Sequence, residues 1–187
     1  MKEVEILVKV CSNKKSVLKE LKKRFKFKGI ERTLDYYFYD PKRNNLRPNS
    51  KNSLKEVFRL RKKGNKNFIA YKVDNFYKNG TWKYSDEHET EILDFKIMLE
   101  IIRNLGLKPL IKIDNKKYIF LMKGYEIVLE DVKNLGLFME IEKLNVSNKE
   151  NVSKVRKEIF NVLNSLNFKI SEELNIGKPE LMLKSEK

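Results

Sequence analysis

A single cysteine, Cys11, occurs among 187 residues. No intrachain disulfide can form, and the chain suits a reducing compartment. No apolar run approaches the roughly 20 residues a membrane helix needs, and no secretory leader opens the sequence. A soluble, cytoplasmic protein with no membrane partner is expected. Four prolines and seven glycines are too few to mark a linker, so residues 1–187 read as one domain with one substantial core. The one histidine, His88, falls on the aliphatic side of its strand, which favours a packed or surface residue over a catalytic one. The one tryptophan, Trp82, reads as a structural edge aromatic, with adenine stacking as the alternative. Acidic residues are also in the minority. The 41 Lys and Arg outnumber 26 Asp and Glu, and the net charge of +15 asks for a polyanionic ligand: nucleic acid, an anionic membrane or a phosphate-rich small molecule.

What is present is alternation. In residues 125–131 and 137–144 apolar and ionisable side chains take turns on either side of Asn134 and Gly136, the pattern of an antiparallel hairpin. Glu126, Val128 and Glu130 share one face, Glu140 and Glu142 the same face of the second strand, and Ile127, Leu129, Met139 and Ile141 the other. With a register symmetric about Leu135, Glu130 would oppose Glu140, a like-charge pair that asks for a cation between them. A divalent metal is the expected cation.

The same division recurs elsewhere. Residues 3–10 put Val4, Ile6, Val8 and Val10 on one side and Glu3, Glu5, Leu7 and Lys9 on the other. Further strands are expected at 33–39, 56–63, 68–74, 81–93 and 110–121. They carry Arg59 with Arg61, then Lys72, then Glu87, Glu89 and Glu91, then Lys112, Asp114 and Lys116 at alternate positions. Three amphipathic helices are read between them. The first is capped by Ser12 or Asn13 and stopped by Gly29, the second runs from an Asp94 cap to Gly106, and the third follows a Ser147/Glu150 capping box. A short helix or irregular tail is expected beyond Asn167. Three helices can cover only one face of about eight strands. The expected fold is therefore α+β, an eight-stranded antiparallel barrel with flanking helices and a charged interior, able to hold a polyanion on its cations and a metal on its acids, with a sheet whose charged face is a wet outer surface as the alternative. Tyr37 and Tyr118 fit either the tunnel or the core.

These residues, in this order, resemble the CYTH or triphosphate tunnel family, and within it the class IV adenylyl cyclases. Glu3 and Glu5 match the acids of the family's ExExK opening, but its lysine is Leu7 here, leaving Lys9 as the candidate substitute. LDYYF at residues 34–38, FRLR with Arg59 and Arg61, AYK with Lys72, and HETE with Glu89 and Glu91 follow in order. Lys112 matches a basic position, while the arginine that follows it in the family is absent, leaving Lys116 or Lys117. VLEDVKNLGLFMEIE resembles VxLDxVxxLGxFxEIE, with Glu130 in place of aspartate, and a weaker echo lies at residues 180–183.

The resemblance implies a tunnel that holds ATP or another triphosphate on Lys9, Arg59, Arg61, Lys72 and Lys112. It implies Mg2+ or Mn2+ on Glu3, Glu5, Glu130, Glu140 and Glu142, with Glu89 and Glu91 as further tunnel acids and Glu5 and Lys72 in catalytic roles. Two reactions are open. Attack of the ribose 3′-oxygen on the α-phosphorus would give cyclic AMP and pyrophosphate, the adenylate cyclase outcome; attack of water on the γ-phosphorus would make the protein a triphosphatase. An RNA-binding module is a third reading, set lower because most aromatics occupy core-type positions; it would show a steep salt dependence. A homodimer is also open.

Overall fold

In a computed structural model, described over residues 2–147 and 149–185, the amino-terminal stretch holds the sheet together. Its strands β1 (Lys2–Glu3) and β2 (Glu5–Val10) are separated by Val4 alone. β1 pairs with β6 (Trp82–Ile92), whereas β2 pairs with β9 (Gly136–Lys143). Between those flanks run β5 (Lys66–Phe76), β4 (Glu56–Lys63), β3 (Lys26–Tyr39), β7 (Lys108–Met122) and β8 (Tyr125–Val132), every pairing antiparallel. The sheet thus curls until its two sides meet at the first strand. Counting β1 and β2 as one wall gives the expected eight; a short β10 (Ile170–Glu173) lies outside, on β2.

Helices α1 (Lys14–Arg24) and α3 (Val152–Asn164) lay Val17, Leu21, Val155, Ile159 and Leu163 on the outer row Val4, Ile6, Val8 and Val10. Ile127, Leu129, Met139 and Ile141 complete that core. Helix α2 (Phe95–Asn104) covers Phe38 and Leu60 of β3 and β4. Asn13 caps α1 and Asp94 caps α2, as read from sequence. The third cap differs: Asn151 bonds the Lys154 amide, while Glu150 accepts from the Ser147 amide just upstream. α1 ends at Arg24 rather than at Gly29, because residues from Lys26 onward are recruited into β3 by pairing with β7. Leu105, the C-cap of α2, is 72% exposed.

A third apolar cluster lies inside the barrel. Leu7, Tyr37, Ile113, Val132 and Phe138 meet Met182 of helix α4 (Lys178–Ser185), which closes this end. The helical end of the tail expected beyond Asn167 is therefore packed into the interior.

The hairpin register is corrected. Asn134 adopts φ +65°, and Val132 pairs with Gly136, so the strands are symmetric about Asn134 rather than Leu135. Glu130 lies opposite Phe138, Val128 opposite Glu140, and Glu126 opposite Glu142. Because the left-handed region disfavours a Cβ-bearing side chain without a local polar partner, Asn134→Ala should destabilise the fold by about 1 kcal/mol and Asn134→Gly should be near neutral, read by urea unfolding.

Candidate active site

Every second residue of the barrel strands points inward, and at the end away from the plug most of those residues are charged. They enclose a cavity of about 270 Å3 lined by ten carboxylates and six cations. In a chain of net charge +15 the interior is acidic.

The cations come from four elements. On β4, Arg59 and Arg61 stand directly opposite Tyr37 and Asp35 of β3. Arg61 grips Asp35 with two bonds, Nε to Oδ1 at 2.7 Å and Nη2 to Oδ2 at 2.8 Å. Burial alone would raise the Asp35 carboxyl, but Arg61 outweighs it and holds the group at about 2. Arg59 bonds Glu87 at 2.8 Å and lies 3.6 Å from Glu89, while its buried Nε has no partner among the described residues. Lys72 of β5 lies 3.1 Å from Glu3, 2.7 Å from Glu5 and 3.7 Å from Glu87. Burial opposes the charge of Glu87, yet Arg59 and Lys72 keep it at about 2. Lys117 of β7 lies 2.9 Å from Glu130, and Lys178 of α4 lies 2.5 Å from Glu130 and 2.6 Å from Glu140.

The carboxylates are unevenly compensated. Glu5 pairs across the sheet with Glu142, and Glu142 with Glu126, so three acids lie side by side on β2, β9 and β8. Such a row destabilises a sheet unless positive charge or protons relieve it. Glu126 has Lys28 at 3.4 Å and Glu5 has Lys72, but among the described residues Glu142 makes no ion pair. Burial, with Glu5 and Glu140 beside it, pushes Glu142 up to about 8. Glu3 also rises to about 8 through burial, which Lys72 only partly offsets. Burial likewise raises Glu5.

Of the residues expected in the site, Glu3, Glu5, Arg59, Arg61, Lys72, Glu89, Glu140 and Glu142 converge on this cavity. Lys9, Lys112 and Glu91 do not. Lys9 keeps the tunnel-facing phase of β2 but is exposed, two residues past Leu7 and the apolar plug. Lys112 lies opposite Tyr36, whose ring packs on Phe95 of α2, so it is on the outer face. Glu91 is exposed and held by Lys66 at 2.8 Å. Between the two candidates for the missing arginine, Lys117 lines the cavity, whereas Lys116 is exposed over the Tyr118 ring. Tyr37 and Trp82 line the cavity as buried residues, and Tyr118 belongs to the outer core.

Glu130 departs most from expectation. It is fully buried, and both its oxygens face lysines rather than a space for a metal. The cation between Glu130 and Glu140 is the Lys178 ammonium, a residue that sequence reasoning passed over because nothing local distinguishes a lysine in a short tail. Among the described residues no three carboxylates converge as a ready metal-binding group. The donor chemistry of the Glu5, Glu142 and Glu126 row nevertheless fits a hard divalent cation, since it consists of oxygen ligands with a local excess of negative charge.

An antiparallel barrel whose interior sets arginine and lysine against facing carboxylates defines a class of proteins built around a charged tunnel. The chain belongs to the CYTH domain family, whose model matches residues 1–173. A Methanocaldococcus jannaschii protein named "Putative adenylate cyclase" is 33% identical over 98% of this chain and 99% of its own. A Pyrococcus horikoshii protein of solved structure, 26% identical, covers 96% of this chain and 98% of its own with a TM-score of 0.81. The same fold is shared at 15% identity and a TM-score of 0.68 by a Hippeastrum protein described as a "Putative adenylyl cyclase" that reveals a dominant triphosphatase activity, covering 98% of this chain and 96% of its own.

Proposed function

We propose that the chain is a divalent-metal-dependent enzyme that takes a triphosphate into the cavity and cleaves it at phosphorus. The observation that carries this is the sign of the cavity: ten carboxylates against six cations in a basic protein. A triphosphate alone would be repelled by such an interior, whereas a triphosphate accompanied by divalent cations complements both sets of side chains. Mg2+ or Mn2+ on Glu3, Glu5, Glu140 and Glu142, joined by Glu126, would neutralise charge developing on the phosphate oxygens.

The chain's own residues do the rest. Arg59, Arg61 and Lys117 bind phosphate oxygens and fix the chain of phosphates along the barrel. Lys72 holds Glu5 in place and balances charge where the phosphorus–oxygen bond breaks. The apolar plug under α4 keeps water out of the far end. The finer reading is cyclisation of ATP to cyclic AMP and pyrophosphate, supported by the name of the Methanocaldococcus relative. A second reading, triphosphate hydrolysis, is favoured by the small cavity, whose two deep aromatics Tyr37 and Trp82 are already packed.

One incubation separates them. With Mn2+ and ATP, cyclisation gives cyclic AMP and pyrophosphate, and hydrolysis gives ADP and phosphate; only a triphosphatase will act on inorganic tripolyphosphate. Arg59→Ala should lower kcat/KM by about 10- to 100-fold, the loss of one charge-assisted contact. Absence of turnover on ATP, other nucleoside triphosphates and tripolyphosphate with either metal would defeat the proposal.

A further inference from the structure

The inward row of the first strand reads Glu3, Glu5, Leu7, and Leu7 sits directly opposite Glu140 on β9. A lysine at position 7 would place its ammonium on that carboxylate. Leu7 instead joins the plug and is 2% exposed. The ammonium on Glu140 comes from Lys178, with Nζ 2.6 Å from Glu140 and 2.5 Å from Glu130. We propose that Lys178 is a relocated functional lysine: α4 supplies, at the Glu130–Glu140 pair, the phosphate-facing cation that the first strand lacks.

The helix is built to hold it there. Glu180 accepts hydrogen bonds from the Leu54 amide at 3.1 Å and the Gly177 amide at 2.5 Å. Asn52 Nδ2 donates to the Leu183 carbonyl at 2.9 Å, and Leu181 and Met182 pack in the plug. The start of α4 is thereby fixed from the 49–54 loop and from the barrel interior, and the Lys178 side chain is 16% exposed in the cavity wall. An ammonium has three donors. One is donated to Glu140, and Glu130 is held as an ion pair at 2.5 Å with no hydrogen bond to either of its oxygens among the described residues, so donor capacity remains for a ligand oxygen. Lys117, 2.9 Å from Glu130, shares the neutralisation, so Lys178 is not needed merely to balance Glu130. Lys9, two residues further along the strand than Leu7, stands outside the cavity and cannot take this role.

The proposal rests on the triphosphate reading and is tested by two readouts. Binding of inorganic tripolyphosphate with Mg2+ is measured by calorimetry, and Tm is measured in phosphate-free buffer. K178M should weaken tripolyphosphate binding by about 10- to 100-fold and lower Tm, because Glu140 loses its partner. L7K/K178M should recover most of both, since the new side chain starts from the residue facing Glu140 and its aliphatic stem can lie in the plug. A double variant no better than K178M in either readout overturns the proposal. Should K178M not fold, K178M/E140Q removes the unpaired carboxylate along with the lysine; it should fold and bind weakly, and wild-type affinity there also overturns the proposal. If the wild type itself binds no tripolyphosphate, the triphosphate reading falls, while recovery of Tm by L7K still decides whether the two positions are equivalent in space.

Discussion

In a chelating buffer the Tm of this protein will fall as the pH rises from about 5 to 8, and Mg2+ or Mn2+ will restore it most strongly at the upper end. Glu3 and Glu142 titrate near 8 in the folded chain, through burial and through neighbouring carboxylates, against an ordinary value of 4.5. A carboxyl whose folded pKa is raised binds more protons in the native than in the unfolded state between those limits. The linkage slope is therefore negative there, and stability present at the acid end is lost as pH rises. Each pKa unit is worth about 1.4 kcal/mol, so two such groups amount to several kcal/mol, and at about 2–4 °C per kcal/mol for a chain of this length the drop exceeds about 10 °C. Metal replaces the protons. It stabilises by mass action and releases protons on binding, which calorimetry in buffers of different ionisation enthalpy will detect. Asp35 and Glu87, both held at about 2, contribute in the opposite sense, and their stabilisation is lost only below about pH 4. A chelated protein with level Tm from pH 5 to 8 would show that the acidic row is not under the strain described.

Arg61→Ala should cost about 3–5 kcal/mol of folding stability, the largest effect expected of a single cavity substitution, because it strands a buried carboxylate. Asp35 is 4% exposed, and its two charge-assisted bonds both come from Arg61. Replacing both partners is the informative control. Asp35→Asn/Arg61→Gln removes the unpaired charge and should regain most of the stability in urea unfolding, while tripolyphosphate affinity stays low. If the double variant binds like the wild type, Arg61 serves only the fold. If Arg61→Ala is as stable as the wild type, the pair carries little of the barrel wall.

Much of the interior was legible from strand alternation. Glu3 with Glu5, Arg59 with Arg61, Lys72, and Glu140 with Glu142 all point inward because successive side chains of a strand leave on opposite faces, a consequence of local backbone geometry. Helix caps at Asn13 and Asp94 were equally local. The same periodicity gives a face but not a depth: Lys9 has the phase of Glu5 yet lies beyond the Leu7 plug. On β7, cations occur in both phases, and only pairing with β3 put Lys117 inside and Lys112 outside. The hairpin register turned on the backbone of one residue, Asn134, which set Glu142 rather than Glu140 against a facing acid.

By itself, then, the sequence determined which strand faces are charged, most of the acids and bases that line the cavity, and the caps of two helices. The tertiary structure decided how far along the barrel each charge sits and which charges meet. Lys178, 38 residues from Glu140 in the chain, reaches it through the docking of α4 on the 49–54 loop and the plug. Contacts of that kind depend on where distant elements come to rest, and no repeat of two or of 3.6 residues carries that information.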